Sequence, residues 1–453
     1  MIVMKFGGTS VDDAPSMERV SKIVASRISQ NPVVVSSACA GVTNTLLAIA
    51  RDSLGRTHAV PFEQIDKLRD RHLAIAGALF GGEILATVQL QIDAMIGELR
   101  DVTKSITILG ELTNRSLDTF ASFGEKLSTL LLFYQFKKLG LNAVLVSAQD
   151  VIVTNEEYTR ALPLQDEIRK RVHDIILPKI HSGQIVITQG FLGATASGVP
   201  TTIGRGGSDY SAALIGAALP AEEIQIWTDV DGMMTSDPRV VTGARMIDIM
   251  SFDEAAELAY FGARVLHPAT ILPAIRQNIP VRVLNAKSPG SPGTVILAAL
   301  PRSQRTDATA IAHKEGITLI KIESTRMLMT HGFLARVFEI FARYAKSVDV
   351  IATSEVSISL TVDNDADLGG ILADLRTIAD VSTENRKAIV CVVGQELRKA
   401  KGAMARIFSA LESASIHVDM VSVGASEVNV TFVVAETDAV GAVRALHAEF
   451  FPE

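Results

Sequence analysis

The sequence predicts an α/β protein, with a mainly parallel sheet sandwiched between helices, followed by two small α+β modules. Three observations carry this reading. Short β-rich runs alternate with longer amphipathic stretches over the first 300 residues, the order that builds strand–helix–strand units. Residues 285–294 then hold two Pro-Gly pairs, which neither a helix nor a central strand tolerates. Beyond residue 313 a unit recurs. Residues 332–338 (GFLARVF) return as 402–408 (GAMARIF), and Val348-Asp349-Val350 returns as Val418-Asp419-Met420, both 70 positions on. Ser354-Glu355-Val356 returns as Ser426-Glu427-Val428 at an offset of 72. Each copy reads strand, glycine-opened helix, strand, polar turn, strand, so one small module is used twice.

Taken in order, residues 1–5 read as a strand and residues 17–29 as a helix with apolar positions Val20, Ile23, Val24 and Ile28. Residues 32–36 (PVVVS) form the unbroken apolar run of a strand buried on both faces. Residues 62–104 read as two helices, 125–139 as a helix, 143–147 and 184–188 as strands, 208–218 as a helix and 224–227 as a strand. The expected domains are 1–297, 313–385 and 386–453, the last two free to interleave.

The 453 residues carry 43 basic and 50 acidic side chains, a formal charge of -7, which argues against a general nucleic-acid binder. Charged residues at 21% and apolar ones at 48% describe an ordinary globular chain rather than a disordered one. No run of about 20 residues is apolar and uncharged, and the first residues lack a signal-peptide pattern. Cys39 and Cys391 have no partner spacing for a metal or disulfide. The expectation is a cytoplasmic protein that uses no membrane and no nucleic acid.

Chemistry concentrates where glycine and charge meet at strand ends. In Lys5-Phe6-Gly7-Gly8-Thr9-Ser10, paired glycines let a backbone approach an anion, and a lysine supplies a point charge. Gly204-Arg205-Gly206-Gly207-Ser208-Asp209 runs into a helix, whose N-terminus attracts anions while the arginine can grip a carboxylate with two parallel bonds. Trp227-Thr228-Asp229-Val230-Asp231-Gly232 opens a strand into an Asp/Gly loop, the place where open sheets bind nucleotides. Walker A, GxGxxG, HExxH and GxSxG are all missing from the sequence. The three loops together point to phosphoryl chemistry without a P-loop.

These segments resemble the aspartokinases of the amino-acid kinase superfamily. The resemblance continues through residues 37–44 (SACAGVTN), 124–128 (GEKLS), Gly190-Phe191 and 261–268 (FGARVLHP), and the tail resembles paired βαββαβ ACT modules, closest to the lysine-sensitive type. It implies an amino-acid kinase fold and transfer of the ATP γ-phosphoryl group, with Mg²⁺, to the β-carboxylate of L-aspartate, the first step toward lysine, threonine and methionine. It further implies catalysis by Lys5, oriented by Asp209, and phosphate binding by the N–H groups of Gly7 and Gly8. Aspartate contacts are implied for Ser37, Thr43, Glu125 (to the ammonium), Arg205 (to the α-carboxylate) and Ser208. ATP contacts are implied for Thr228, Asp229, Met234, Arg239 and Arg264. Dedicated metal ligands are not implied. Two positions depart from the family pattern: Met233-Met234 stand where an aromatic often follows the Asp-Gly pair, and Arg264 replaces a lysine.

For the effector, the resemblance implies lysine, bound between ACT modules of two subunits in a homodimer or larger oligomer. The residues are Met327, Thr330, Gly332, Phe333, Leu334, Ser347, Val348, Asp349, Thr353, Ser354 and Glu355, with Asp349 and Glu355 as the acidic groups for two ammoniums. A kinase of another amino acid, or a non-catalytic amino-acid sensor, are the alternatives. Residues 124–128 (GEKLS) and 204–209 (GRGGSD) with the ACT-like tail weigh against the first, and retention of Lys5, Glu125, Arg205 and Asp209 weighs against the second.

Overall fold

The structure is a computed structural model that describes residues 1–55, 59–261, 266–324, 331–363, 368–423 and 427–452. It divides into two compact units: Met1–Met233 with Val265–Ala298, and Met234–Arg264 with Ala299–Glu453.

The first unit is built on strands β1 (Ile2–Phe6), β2 (Pro32–Ser36), β3 (Ala143–Val146), β4 (Ile185–Gln189), β5 (Glu223–Thr228), β6 (Val281–Asn285) and β7 (Thr294–Leu297). Their order across the sheet is β3-β4-β2-β1-β5-β6-β7. All pairs are parallel except β6–β7, which closes the 285–294 turn as an antiparallel hairpin. Every residue of β2 and β4 is buried, as continuous apolar runs require when helices cover both faces. Trp227 is fully buried and stacks on Phe6 of the neighbouring strand, ring centroids 5.9 Å apart.

The expected helices appear with shifted ends. The first runs Ala14–Ala25, because Asp13 accepts the Ser16 N–H as N-cap and Pro15 fits the first turn. It stops before Ile28, which is 47% exposed and sits in a short 3-10 turn ended by left-handed Asn31. Ile28 is therefore not part of the helix's apolar stripe. The long periodic region is two helices, Ala59–Leu79 and Gly82–Leu109, and the next helix, Asn114–Lys138, begins eleven residues before the expected start at Glu125. Among the described residues no helix is long and apolar enough to cross a membrane.

The second unit carries a six-stranded antiparallel sheet of β8 (Ala310–Glu323), β9 (Ile351–Thr353), β10 (Ser357–Asp363), β11 (Asp380–Val393), β12 (Val418–Ser422) and β13 (Asn429–Ala435), in the order β9-β10-β8-β11-β13-β12. Helices Phe333–Arg343 and Gly369–Arg376 pack with the first half, Ala403–Ser413 and Ala439–Phe450 with the second. Both repeat helices are opened by a left-handed glycine, Gly332 at φ 80° and Gly402 at φ 87°. The long β8 serves both halves. Ile320 and Ile322 lie in the first core, while Ala308, just before the strand, and Ile311 lie in the second. Residues 234–261 pack with this sheet: the Asn429 side chain donates to Glu257, and the Thr309 hydroxyl donates to Glu254.

Candidate active site

The carboxyl ends of β1, β2, β4 and β5 lie side by side in the sheet, and loops from β1, β2 and β4 surround a cavity of about 660 Å³. It is lined by Lys5, Gly8, Ser37, Thr43, Glu125, Arg205, Ser208 and Asp209, eight of the residues singled out from the sequence.

Lys5, at the end of β1, pairs with Asp209 on the first turn of helix Gly207–Ala218, Nζ to Oδ1 2.7 Å, both side chains 12% exposed. Gly8 lets β1 run tight against the β2 loop, since an added Cβ there would fall 2.8 Å from the Ala38 carbonyl oxygen. Gly7 has another task than the one expected. Its N–H donates to the Trp227 carbonyl at 3.1 Å, so that donor is spent joining two strand ends, and Gly8 is the member of the pair on the cavity.

Two helix N-termini converge here. Helices Val42–Asp52 and Gly207–Ala218 are opened by left-handed Gly41 (φ 78°) and Gly206 (φ 70°), neither with a side-chain cap. The first N–H of each is spent, Val42 on the Cys39 carbonyl and Gly207 on the Gly204 carbonyl, both at 3.0 Å, so an anion is favoured by the dipole and by the N–H groups that follow in the first turn. Gly206 also lacks room for a side chain, because an added Cβ would meet Thr270 Cγ2 at 2.7 Å. The Ser37 hydroxyl donates to Ser208 Oγ at 2.8 Å, and the Ser128 hydroxyl holds the Ser37 carbonyl at 2.7 Å. Arg205 lines the cavity with its side chain exposed.

Glu125 is the electrostatic anomaly. It is 3% exposed, on helix Asn114–Lys138, where Gly124 lets the helix approach Ala38 so closely that an added Cβ would lie 2.9 Å from it. Oε1 accepts the Ala38 N–H at 3.3 Å, while Oε2 is buried with no hydrogen-bond partner. Burial pushes the carboxyl up to about 8. A buried orphan acceptor at a cavity wall is a place for a cationic group.

Of the residues assigned to ATP, the described ones, Thr228, Asp229, Met234 and Arg239, are not among those lining this cavity. Thr228 ends β5 and Asp229 follows it, the Thr228 hydroxyl donating to Asp229 at 3.3 Å, and the Asn285 amide holds Asp231 at 2.8 Å. Met234 and Arg239 belong to the second unit, where the Arg239 guanidinium forks onto Asp237 at 2.7 Å. Arg264 lies outside the described residues, as do Met327 and Thr330 of the effector set.

The remaining effector set lies in the first tail module. Gly332 caps helix Phe333–Arg343, Leu334 is 43% exposed, and Ser347, Thr353, Ser354 and Glu355 are exposed, with Ser354 and Glu355 in the turn between β9 and β10. Phe333 is buried in the module core, so its side chain packs rather than recognises. Asp349, half-buried as a residue with its side chain 6% exposed, already accepts the Tyr260 hydroxyl at 2.7 Å and Lys314 Nζ at 3.1 Å, and Val348 is likewise half-buried beside it.

Two cavity residues lie outside every motif quoted from the sequence, Thr159 and Leu47, while Phe191 belongs to the Gly190-Phe191 motif. Thr159 and Phe191 both have left-handed backbones, φ 72° and 64°, which the sequence does not signal.

This fold and cavity define a carboxyl-group kinase of the amino-acid type, and residues 1–285 match the amino acid kinase family while residues 390–450 match an ACT domain. The chain is 39% identical over 464 residues to lysine-sensitive aspartokinase 3 of Escherichia coli, covering 100% of this chain and 99% of that protein. It is 38% identical to chloroplastic aspartokinase 3 of Arabidopsis thaliana, covering 99% of this chain and 81% of that protein. Solved structures of E. coli aspartokinase III superpose with TM-scores of 0.86 (with lysine and aspartate, T-state) and 0.83 (with aspartate and ADP, R-state), both at 38% identity and over 100% of this chain. The chain belongs to the aspartokinases.

Proposed function

We infer that the chain transfers the γ-phosphoryl group of ATP to the β-carboxylate of L-aspartate, giving 4-phospho-L-aspartate, under feedback control by lysine. The observation that carries this is the match of charge between cavity and substrate. Aspartate brings two carboxylates and one ammonium. The cavity offers two uncapped helix N-termini, Arg205 and Lys5 for anions, and one buried orphan oxygen on Glu125 for a cation.

The roles follow from that match. The Arg205 fork and the N-terminus at Gly206 take the α-carboxylate. Glu125 Oε2 takes the ammonium, and Ser37, Thr43 and Ser208 fix the side-chain direction. The attacking β-carboxylate is already ionised at neutral pH, so the site needs no general base. Lys5, held by Asp209, and the Gly8 backbone stabilise charge on the transferring group, and positioning does the rest. The last residue of β5, Thr228, and Asp229 after it, together with Met234, Arg239 and Arg264, are our assignment for ATP. For Arg239 this requires its guanidinium to leave or share Asp237. Among the described residues no three His, Cys, Asp or Glu side chains converge as a metal nest, so Mg²⁺ would ride on the phosphates and neutralise their oxygens there.

We assign residues 1–297 to the kinase and 313–453 to interleaved ACT modules, which bind lysine through the first repeat and join at least two subunits in the cytoplasm. The test is aspartyl hydroxamate formation from aspartate, Mg-ATP and hydroxylamine, with glutamate as control acid and lysine or threonine as added effector. Aspartate-dependent product suppressed by lysine supports the reading; product with glutamate alone, or inhibition by threonine alone, defeats it.

A further inference from the structure

We propose that Asp118 is a positioning residue for aspartate: its buried carboxylate ties together the two backbone segments that form the wall beside Arg205. Asp118 is 1% exposed and lies on helix Asn114–Lys138, seven residues before Glu125. Seven residues are about two helical turns, so both carboxylates project from one face. Oδ1 accepts the Thr202 hydroxyl at 2.6 Å and Oδ2 accepts the Thr159 N–H at 2.9 Å.

Each partner leads into the cavity. Thr202 ends the short strand Pro200–Thr202, three residues before Arg205, and its carbonyl accepts the Ala161 N–H at 2.9 Å. Thr159 itself lines the cavity. Its φ of 72° is a conformation that a β-branched residue rarely adopts, so something must hold it. The turn at Thr159 backs onto the Arg205 loop, because a Cβ added at Gly204 would lie 3.7 Å from both the Thr159 carbonyl oxygen and Arg160 Cα. One carboxylate therefore fixes a strained turn and the end of the strand that leads into the arginine loop.

A carboxylate is an expensive group to place here unless both oxygens are used. Burial pushes its carboxyl up, and the donors from Thr202 and Thr159 oppose that shift. Asparagine is a poor replacement: its NH₂ must face the Thr202 hydroxyl, which then has to turn and accept, and both contacts lose the charge that strengthens them. The inference rests on the reading that this cavity takes aspartate.

The experiment is initial-rate kinetics on the full chain, varying aspartate and ATP separately, for wild type, Asp118→Asn, Thr202→Val, the double variant, and Asp118→Asn combined with Thr159→Gly. Asp118→Asn is expected to raise the KM for aspartate about tenfold or more, the size of a lost charged hydrogen bond, with the KM for ATP within about twofold. Thr202→Val should raise it less, and the double variant should be no worse than Asp118→Asn alone, because both cut one link. Thr159→Gly should restore part of the loss, since glycine holds a left-handed backbone unaided. An unchanged aspartate KM in folded Asp118→Asn, or equal rises for aspartate and ATP, overturns the proposal. If Asp118→Asn does not fold, an unchanged aspartate KM in Thr202→Val overturns it instead. Wild type without aspartate-dependent turnover sinks the functional reading, and this inference with it; wild-type turnover beside an unmoved variant sinks the inference alone.

Discussion

Glu125 and Asp349 are both buried carboxylates assigned to receive an ammonium group, and their surroundings are opposite. Glu125 keeps one oxygen with no partner. Asp349 is already met by Lys314 and by the Tyr260 hydroxyl. A substrate ammonium entering the first site fills a vacancy; an effector ammonium approaching the second must compete with a resident cation. The first arrangement favours catalytic binding driven by relief of an unsatisfied group. The second favours control, because occupancy can be felt by whatever was displaced. The second tail repeat shows that the resident cation is a property of the module: Asp419 takes Lys387 at 2.8 Å, as Asp349 takes Lys314. Among the described residues the Tyr260 bond distinguishes the first repeat.

The largest expected effect tests whether charge in the cavity does the chemistry. Lys5→Ala should lower kcat on the order of 10²–10³, the cost of one preorganised donor, with circular dichroism unchanged. Wild-type turnover in the folded variant would remove Lys5 from the mechanism.

Next comes the vacancy itself. Glu125→Gln should cost roughly 2–5 kcal/mol of aspartate binding, as when one member of a buried charge pair is removed. The wild type should also show a pH signature with a definite sign. Its folded carboxyl titrates near 8 rather than the usual 4.5, so the unliganded fold prefers the protonated form. That preference stabilises the unliganded protein fully below pH 4.5 and is lost as pH rises through 8. Aspartate needs the anion, so its KM should fall about tenfold per pH unit from pH 6 toward 8 and then level off, while the substrate's own charges stay fixed. A flat profile in the wild type, or the same slope in Glu125→Gln, would show that Glu125 does not take the ammonium.

The contrast between the two carboxylates also marks what the sequence could reveal. Strand and helix alternation, the repeat, and the glycine-rich loops were legible, because buried strands, left-handed caps and close approaches demand particular residue types. Lys5, Glu125, Arg205 and Asp209 meet in one cavity as their motifs suggest. What could not be read was where hydrogen bonds are spent. The Gly7 N–H goes to Trp227, distant in sequence and adjacent only once β1 pairs with β5. Asp118 stands outside every glycine motif; its one signal is a second acid seven residues before Glu125 on an otherwise buried helix face. Asp349 is neutralised by residues 35 and 89 positions away, which no local pattern announces. The fork of Arg239 onto Asp237 was local and could have been foreseen from the Asp-Pro-Arg spacing.

A paired substitution in the tail sharpens the comparison further. Asp349→Asn and Asp419→Asn each remove a carboxylate from a lysine that keeps a second acid, Asp363 for Lys314 and Glu384 for Lys387. Each should therefore cost only about 1–2 kcal/mol of stability in denaturant titration. Their effects on control should diverge: Asp349→Asn should abolish inhibition by lysine, and Asp419→Asn should leave it intact. Equal loss of inhibition in both would mean that the two repeats are wired alike.

The smallest effect isolates the Tyr260 bond to the first repeat. Tyr260→Phe removes the hydroxyl donor to Asp349 and leaves Lys314 in place. The tyrosine ring is 48% exposed as a residue, and burial together with the Asp349 carboxylate keeps its hydroxyl protonated, so the bond is a neutral donor on an anion. Its loss should change stability by about 0.5–1.5 kcal/mol. With one donor fewer, Asp349 offers an incoming ammonium a freer oxygen, so lysine should bind more tightly by about 2–5-fold. Binding and inhibition should then separate. If the Tyr260 bond carries the signal from Asp349 to helix Phe252–Tyr260, maximal inhibition should fall even as lysine affinity rises. Calorimetric titration of lysine alongside the rate assay distinguishes the outcomes. A variant with wild-type affinity and wild-type maximal inhibition would reduce Tyr260 to a packing contact and return the difference between the two repeats to their surface residues.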